Sequence, residues 1–231
     1  MSSPTTIAVV GGTGAEGRGL ALRFAKAGAA VRIGSRNLER AEQAAREIGA
    51  ATGSGKVTGH TNPDAAGGTE VVVLTVPLSA QVEILKSIRG SFRPGAILVD
   101  ATVPLEIAIG GRISRTVTLW DGSAAQQAAR LAPPGVAVVA GFHALSAEAL
   151  GQLDHALDCD TLICGDHAEG KAVVRALAEM IPGVKAVDAG GLDNARLLET
   201  MAALLISLNL RYKVKHSGIR ITGLPSGGAH A

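Results

Sequence analysis

The glycine-rich stretch at residues 11–17 constrains this chain more than any other feature. It reads Gly-Gly-Thr-Gly-Ala-Glu-Gly, and an apolar run at residues 7–10 precedes it. A helical apolar pattern through Leu20, Leu22 and Phe24 follows it. A strand, a turn and a helix around G-x-G-x-x-G form the fingerprint of dinucleotide-binding folds. The pattern therefore predicts a nucleotide site where the first strand meets the first helix.

The three glycines of this fingerprint have different tasks. Gly12 permits a tight turn, Gly14 lets the backbone approach a pyrophosphate, and Gly17 lets the helix pack closely against the strand. The N–H groups and the positive end of the helix dipole then face the phosphates. An ordinary glycine-rich turn is the alternative interpretation. The strand before the turn and the helix after it favour the nucleotide site.

The composition indicates a core built from aliphatic side chains. Of the 231 residues, 47% are apolar but only 2% are aromatic, so the core consists mainly of Val, Leu, Ile and Ala. Such residues suit a parallel sheet whose two faces are covered by helices. The length allows one large domain, or about one and a half of the usual size. These features predict an α/β fold.

Charge, cysteine content and hydropathy argue against several classes of protein. A net charge of +2 gives no reason to expect nucleic-acid binding. Cys159 and Cys164 match neither a zinc pattern nor a disulfide framework, so we expect no metal site and a reducing compartment. Residues 1–6 lack the regions of a signal peptide, and no apolar run approaches the roughly eighteen residues of a membrane helix. We therefore expect a cytoplasmic protein without a membrane partner.

The end of the second predicted strand indicates which nicotinamide cofactor binds. An NAD enzyme usually carries Asp or Glu there to bind the ribose 2′-hydroxyl, and this chain has neither. Instead Ser35 offers a hydroxyl, while Arg36 and Arg40 offer guanidinium groups that suit a 2′-phosphate. Solvated charges at the start of a helix are the alternative interpretation of the two arginines. The residues favour NADP(H).

Two further apolar strands are expected to deliver residues to the same crevice. In an open parallel sheet, ligands lie beyond the carboxyl ends of the strands. Val76 and Leu78 follow the apolar run at residues 71–74, and Val103 follows the one at residues 96–100. We expect them beside the glycine-rich turn, over the cofactor. A proline-terminated strand that only packs is the alternative for the first of these segments.

Several of these stretches resemble one family, the NADPH-dependent reductases of the 5-deazaflavin coenzyme F420. The similar segments occur in order over nearly the whole chain: the glycine-rich turn and residues 34–36, 74–77, 143–145, 164–166, 188–190 and 196–199. The resemblance implies a Rossmann-type, doubly wound, mostly parallel sheet with a small helical C-terminal part. It implies a dinucleotide-binding domain at residues 1–145 and an extension at residues 146–231 that closes the substrate cleft.

The resemblance also implies NADP(H) as cofactor, coenzyme F420 as co-substrate, and three groups of site residues. The residues at the pyrophosphate would be Thr13, Gly14, Ala15 and Glu16. Those at the 2′-phosphate would be Ser35, Arg36 and Arg40. Those of the apolar deazaflavin pocket would be Val76, Leu78, Val103, Leu145 and Ala147.

The residue types suit a hydride exchange in which the protein supplies orientation and excludes water. The strand-end positions that face the crevice contain no Lys, Asp or Glu to act as a general acid. His143, after the sixth predicted strand, is the exception, because it could bind or polarise a substrate. A structural role for His143 is an equal alternative. We therefore assign His143 to the substrate pocket and expect no catalytic residue.

Two other functions and one assembly are compatible with the sequence. An NADPH-dependent imine or carbonyl reductase, of the pyrroline-carboxylate or hydroxyacid type, has a similar first half. A hydroxyacid reductase usually needs a lysine on the long helix after the sheet, and residues 194–210 contain none. A non-catalytic NADP(H) sensor is the third possibility. The apolar stripe of this last helix is either core or a subunit interface, so we expect a homodimer.

Overall fold

The computed structural model describes residues 6–225, and a six-stranded sheet forms its centre. The strands are β1 (Thr6–Val10), β2 (Ala30–Ser35), β3 (Val57–Thr61), β4 (Val71–Leu74), β5 (Ile97–Asp100) and β6 (Ala137–Ala140). Their order in the sheet is β3-β2-β1-β4-β5-β6, and every neighbouring pair is parallel. This is the doubly wound Rossmann order, so the predicted fold class is confirmed. The outer ends of the two predicted domains, residues 1–5 and 226–231, lie outside the described residues, as does most of the segment searched for a signal peptide.

Eight α-helices follow or separate the strands. They are α1 (Ala15–Lys26), α2 (Leu38–Thr52), α3 (Asn62–Ala66), α4 (Leu78–Ile88), α5 (Ala124–Leu131), α6 (Ala147–Gly151), α7 (Ala168–Glu179) and α8 (Ala195–Tyr212). Short 3₁₀ turns occupy Arg89–Ser91, Glu106–Ile109 and Leu192–Asn194. Within residues 6–225, no helix combines the length and apolar character that crossing a membrane requires.

The helices cover both faces of the sheet, which explains why its central strands are apolar throughout. Ile7 and Val9 of β1 pack into one core with α1, α2 and α7. Ala8 and Val10, on the opposite face of the same strand, pack into a second core with α3, α4, α5 and α8. Because successive side chains of a strand point to opposite faces of the sheet, the side chains on both faces of each central strand must be apolar.

After α6, the C-terminal part contains one further βαβ unit, which lies outside the large sheet. The strands β7 (Cys159–Ile163) and β8 (Val184–Asp188) form a parallel pair joined through α7. Ala140 of β6 and Cys164 exchange two backbone hydrogen bonds of 2.9 and 3.1 Å, which attach the small sheet to the large one. Cys159 and Cys164 are both buried and unpaired with each other. The chain then enters α8, which returns across the large sheet.

Arg23 anchors the C-terminal part to the first helix of the dinucleotide-binding half. Its side chain is 2% exposed, and its guanidinium donates to the carbonyl oxygens of Ala149, Leu150, Gln152 and His155 at 2.6–2.9 Å. These carbonyls lie at the end of α6 and just after it, where a helix leaves its last C=O groups without partners. Arg23 therefore fixes α6 against α1, beside the crevice.

Candidate functional site

The glycine-rich turn lies at the carboxyl end of β1, between β2 and β4, where the strand order reverses. The amides of Gly11 and Gly12 both donate to the carbonyl oxygen of Gly34, at 3.2 Å each. Gly11 has a φ of +81°, and a side chain there would meet Val76 at 2.7 Å. A left-handed residue this close to a neighbour has to be glycine. The turn is thus held against β2 and β4 at the switch point, where ligands of such sheets bind.

Gly12 and Gly17 support the turn without facing a cavity. A side chain on Gly12 would lie 2.8 Å from the carbonyl oxygen of Val9, and one on Gly17 would lie 2.9 Å from that of Gly11. Both positions therefore need glycine for close packing, which the fingerprint predicts for Gly17, whereas for Gly12 it predicts a tight turn. Gly14 is the N-cap of α1. No side chain caps this helix, so its first-turn amides are available to an anion.

A cavity of about 380 Å³ lies beside the turn and contains the predicted 2′-phosphate residues. Its lining includes Thr13, Gly14, Ser35, Arg36 and Arg40. Ser35 is buried and its hydroxyl accepts from the amide of Asn37 at 3.2 Å. Both arginines are exposed, and neither forms an ion pair with another residue between 6 and 225. Their guanidinium groups are therefore available to a phosphate.

A larger cavity, of about 740 Å³, continues from the first one along the ends of β4 and β5. Gly14, Thr75, Val76 and Pro77 line both cavities, so the two form one crevice. The larger cavity brings together eight of the predicted site residues: Gly14, Ala15, Glu16, Val76, Val103, His143, Leu145 and Ala147. Leu78, the remaining predicted pocket residue, is half-buried at the first position of α4 and lines neither cavity.

His143 enters this cavity from a strained segment after β6. The preceding residue, Phe142, is fully buried and has a φ of +70°, a conformation that bulky residues rarely adopt. The amide of Phe142 donates to the Thr161 hydroxyl at 3.1 Å, which holds this conformation. Both ring nitrogens of His143 are buried, and neither makes a hydrogen bond of full geometry within residues 6–225, although the Thr102 backbone lies close enough to interact with the ring. Burial lowers the pKa of His143 to about 4, so the imidazole is neutral near pH 7.

The long helix α8 and the segment after it form a wall of the cavity, and the sequence-based expectation that residues 146–231 close the cleft named none of the residues of this wall. This wall includes Ala202, Leu205, Ile206, Asn209, Leu210, Val214, Lys215 and Ser217. The apolar stripe of α8 predicted either core or interface, since periodicity does not distinguish a core from the lining of a crevice. The apolar stripe of α8 is the one signal in the sequence that could have indicated these wall residues.

Hydrogen bonds hold the segment after α8 across the mouth of the cavity. The hydroxyl of Ser146 donates to the carbonyl oxygen of Lys215 at 2.8 Å. The amide of Ser217 donates to the Asn209 side chain at 3.0 Å. Further along, Arg220 pairs with Asp158 and Asp160 at 2.6 and 2.7 Å, next to β7. These contacts fix the segment to α6, α8 and β7.

A buried polar network supports the floor of the crevice behind β5. Oδ1 of Asp100 accepts from Gln81 at 3.1 Å and from Thr102 at 2.8 Å, while Oδ2 has no partner within residues 6–225. Glu199 of α8 accepts from the first two amides of α5, Ala124 and Ala125, at 3.1 Å each. Burial raises the pKa of Asp100 to about 7 and that of Glu199 to about 8. The network joins four elements around the end of β5.

Metal-ligand side chains are not clustered in this part of the molecule. Across the range that the structure describes, no group of three or more His, Cys, Asp or Glu residues is placed to hold a metal ion. The charged or titratable side chains that line the crevice are instead Glu16, Arg36, Arg40, His143, Glu148 and Lys215, and backbone amides of the turn lie beside them. Such a set can bind phosphates at one end and a flat apolar ring system at the other.

Comparisons with known proteins agree with this geometry. The model of the coenzyme F420-dependent NADP oxidoreductase family matches residues 6–104. The F420-dependent NADP reductase of Methanothermobacter thermautotrophicus is 50% identical over 222 residues, which cover 95% of this chain and 95% of the relative. The enzyme of the same name from Methanocaldococcus jannaschii is 41% identical and is covered to 98%. A crystal structure of a candidate F420-dependent NADP reductase from Arthrobacter sp. FB24 superposes with a TM-score of 0.80 at 23% identity, covering 96% of this chain and 100% of that one.

Proposed function

The chain belongs to the family of F420-dependent NADP reductases, and from this membership we propose that it transfers a hydride between NADP(H) and the 5-deazaflavin coenzyme F420. The crevice carries this proposal, because one continuous space joins a glycine-rich turn, two unpaired arginines and an apolar chamber of about 740 Å³. The turn suits a pyrophosphate, the arginines suit a 2′-phosphate, and the chamber is large enough for two ring systems.

The residues of the turn and of β2 would hold and orient NADP(H). We propose that the backbone at Thr13, Gly14 and Ala15 binds the pyrophosphate at the start of α1. Ser35, Arg36 and Arg40 would bind the 2′-phosphate, as the sequence predicts. Together these groups fix one end of the dinucleotide so that its other end extends towards β4 and β5.

The apolar residues that line the chamber, from the ends of β4 and β5, the segment after β6 and the start of α6, would hold the two rings in contact and exclude water. Val76, Val103, Leu145 and Ala147 supply this lining. When bound, NADP(H) and the deazaflavin supply the hydride donor and acceptor themselves, so the chain needs no general acid. A neutral His143 is suited to hydrogen-bond a ring substituent, and we propose that it binds substrate without moving a proton in the hydride step.

The two alternative functions, an imine or carbonyl reductase and a non-catalytic NADP(H) sensor, receive less support. A carbonyl reductase of the hydroxyacid type uses a lysine on the long helix, and α8 contains none over Ala195–Tyr212.

We propose that residues 146–231 act as the extension that closes the cleft. Two observations support this proposal: α8 and the segment after it form a wall of the cavity, and hydrogen bonds hold that segment in place.

We further propose a homodimer in the cytoplasm. The observation that favours a dimer is that α8 leaves large apolar side chains exposed, among them Leu197, Leu204 and Leu210 at 52%, 56% and 61%. Exposed apolar side chains on one helix are typical of associating surfaces. The proposed partners are small-molecule redox coenzymes, and no role in nucleic-acid binding is proposed.

One assay tests the proposed function directly. Purified protein is mixed with NADPH and oxidised coenzyme F420, and the absorbance of the oxidised deazaflavin is followed. We expect it to fall, with deuterium from labelled NADPH recovered on the reduced deazaflavin and not in water. Binding of NADPH without any turnover of the deazaflavin would support the sensor function. Reduction of a cyclic imine in place of F420 would support the imine or carbonyl reductase.

A further inference from the structure

The carboxyl group of Glu16 has no partner although it lies inside the crevice. Glu16 is the second residue of α1, and its side chain lines the larger cavity with Val76 and Val103. Its Oε1 atom is buried, and no atom of residues 6–225 hydrogen-bonds it. An unsatisfied polar atom in an apolar setting costs stability, so such atoms in native proteins call for an explanation. One explanation is a bound ligand that supplies the missing hydrogen-bond partner.

The protonation state of Glu16 determines what kind of group it can bind. Burial raises the pKa of this carboxyl to about 8, so it is mostly protonated at pH 7. A protonated carboxyl donates one hydrogen bond and accepts others. Its complement is a group that offers an acceptor and a donor side by side, which is the arrangement of a planar amide. A phosphate, which offers only acceptors at neutral pH, matches it less well.

The position of Glu16 in the crevice indicates which amide it meets. The cavity it lines is bounded by the carboxyl ends of β4 and β5, whereas the two arginines lie on the other side of the turn, after β2. In this fold a dinucleotide spans the switch point, with one end beyond β2 and the other beyond β4 and β5. With the 2′-phosphate at Arg36, the nicotinamide end reaches the chamber of Glu16.

We propose that Glu16 is a specificity-determining residue whose carboxyl group hydrogen-bonds the carboxamide of the nicotinamide ring. This inference rests on the proposed binding of NADP(H) but not on the identity of the hydride acceptor. It separates Glu16 from the pyrophosphate group of residues, to which the resemblance assigns it. The other titratable side chains that line the cavity in the described range are His143, Glu148 and Lys215.

The test compares Glu16→Leu with Glu16→Gln, which keeps a donor and an acceptor in a side chain of similar shape. The dissociation constant is measured for NADPH and for its reduced 3-acetylpyridine analogue, which lacks the amide donor. In the wild type and in Glu16→Gln, we expect the analogue to bind about tenfold more weakly than NADPH, the effect of a lost hydrogen bond. In Glu16→Leu, the two ligands should bind within about twofold of each other. An unchanged tenfold ratio in Glu16→Leu overturns the proposal.

Two further measurements keep the test decisive. Adenosine 2′,5′-bisphosphate, which reaches only the arginine site, should bind all three proteins equally and so reports that the fold is intact. Between pH 7 and pH 9.5 the affinity of the wild type for NADPH should fall at least fivefold, because an ionised Glu16 no longer donates. The affinity of Glu16→Gln should stay constant, and a wild type as constant as Glu16→Gln contradicts the proposal. A wild type that does not bind NADPH refutes the proposed function itself, whereas one that binds NADPH and its analogue equally refutes only the role of Glu16.

Discussion

Replacing Arg36 with alanine should weaken NADPH binding and leave NADH binding unchanged. Arg36 lines the cavity beside the glycine-rich turn, is exposed, and makes no ion pair with another described residue. Its removal therefore breaks no ion pair among residues 6–225, and the loss of affinity reports mainly contacts to the ligand. Because NADH has no 2′-phosphate, its binding does not depend on this guanidinium.

The size of the effect follows from the kind of contact. A hydrogen bond between charged groups contributes roughly 1.5–3 kcal/mol, which corresponds to about a 10- to 150-fold increase in the dissociation constant. Solvent exposure of Arg36 places the expected loss towards the lower end. Arg40 retains a second charge in the same cavity, so replacing both arginines should cost more than replacing either alone.

The assay is a titration of each protein with NADPH and with NADH, followed by nicotinamide fluorescence or calorimetry. Arg46→Ala is the matched control, because Arg46 is an exposed arginine of α2, the helix that begins just after Arg36, and it lines neither cavity of the crevice. Its affinity for both cofactors should equal that of the wild type. Equal affinity of the wild type for NADPH and NADH would refute the reasoning. An equal loss of affinity for the two cofactors in Arg36→Ala would refute it as well.

Three further changes test other parts of the molecule. His143→Ala should lower the turnover number by less than the roughly 100-fold minimum typical of a lost general acid, with most of the effect in substrate binding; a thousandfold loss with normal NADPH binding contradicts the proposed mechanism. Val103→Asp should abolish turnover while Val103→Ile retains it, because an unpaired charge in the chamber is costly to desolvate; an active Val103→Asp would contradict an apolar ring pocket. Burial raises the pKa of Asp100 from about 3.8 to about 7, so the stability contributed by its protonated form is complete below about pH 4 and is lost as the pH rises through 7. Asp100→Asn should therefore gain about 2 kcal/mol of unfolding free energy relative to the wild type between pH 5 and pH 8, measured by denaturant titration; a gain independent of pH would contradict the buried titration. The proposed homodimer predicts twice the chain mass in light scattering at micromolar concentration, and a monomeric mass would refute it.

The sequence by itself determined the fold class and predicted which residues at one end of the crevice bind the cofactor. Both depend on short-range patterns, since a strand, a glycine-rich turn and a helix occupy consecutive residues. Atoms of the same turn and of the first strand already exclude a side chain at Gly12 and at Gly17, and the more distant Ile33 and Thr75 add to this restriction. Likewise Ser35 ends the strand that positions it and Arg36 directly follows, so the absence of an acidic residue could be recognised without a structure.

Tertiary structure decided what surrounds the other end of the crevice. The wall from α8 and the following segment lies more than 100 residues along the chain from the strands it faces, and an apolar helical stripe looks the same whether it faces a core, a cavity or a partner. Leu78 is predicted for the pocket from its place after β4 and from the resemblance, and the structure places it at the first position of α4, outside the lining of both cavities.

The protonation states of Glu16 and His143 also follow from the packed structure alone. Nothing in the neighbouring sequence distinguishes Glu16 from a solvated glutamate in the first turn of a helix. Its raised pKa arises because the folded chain removes water from its carboxyl group, and the lowered pKa of His143 has the same main cause. Desolvation depends on all the atoms around a group, most of them distant in sequence, so a local pattern of residues cannot reveal it.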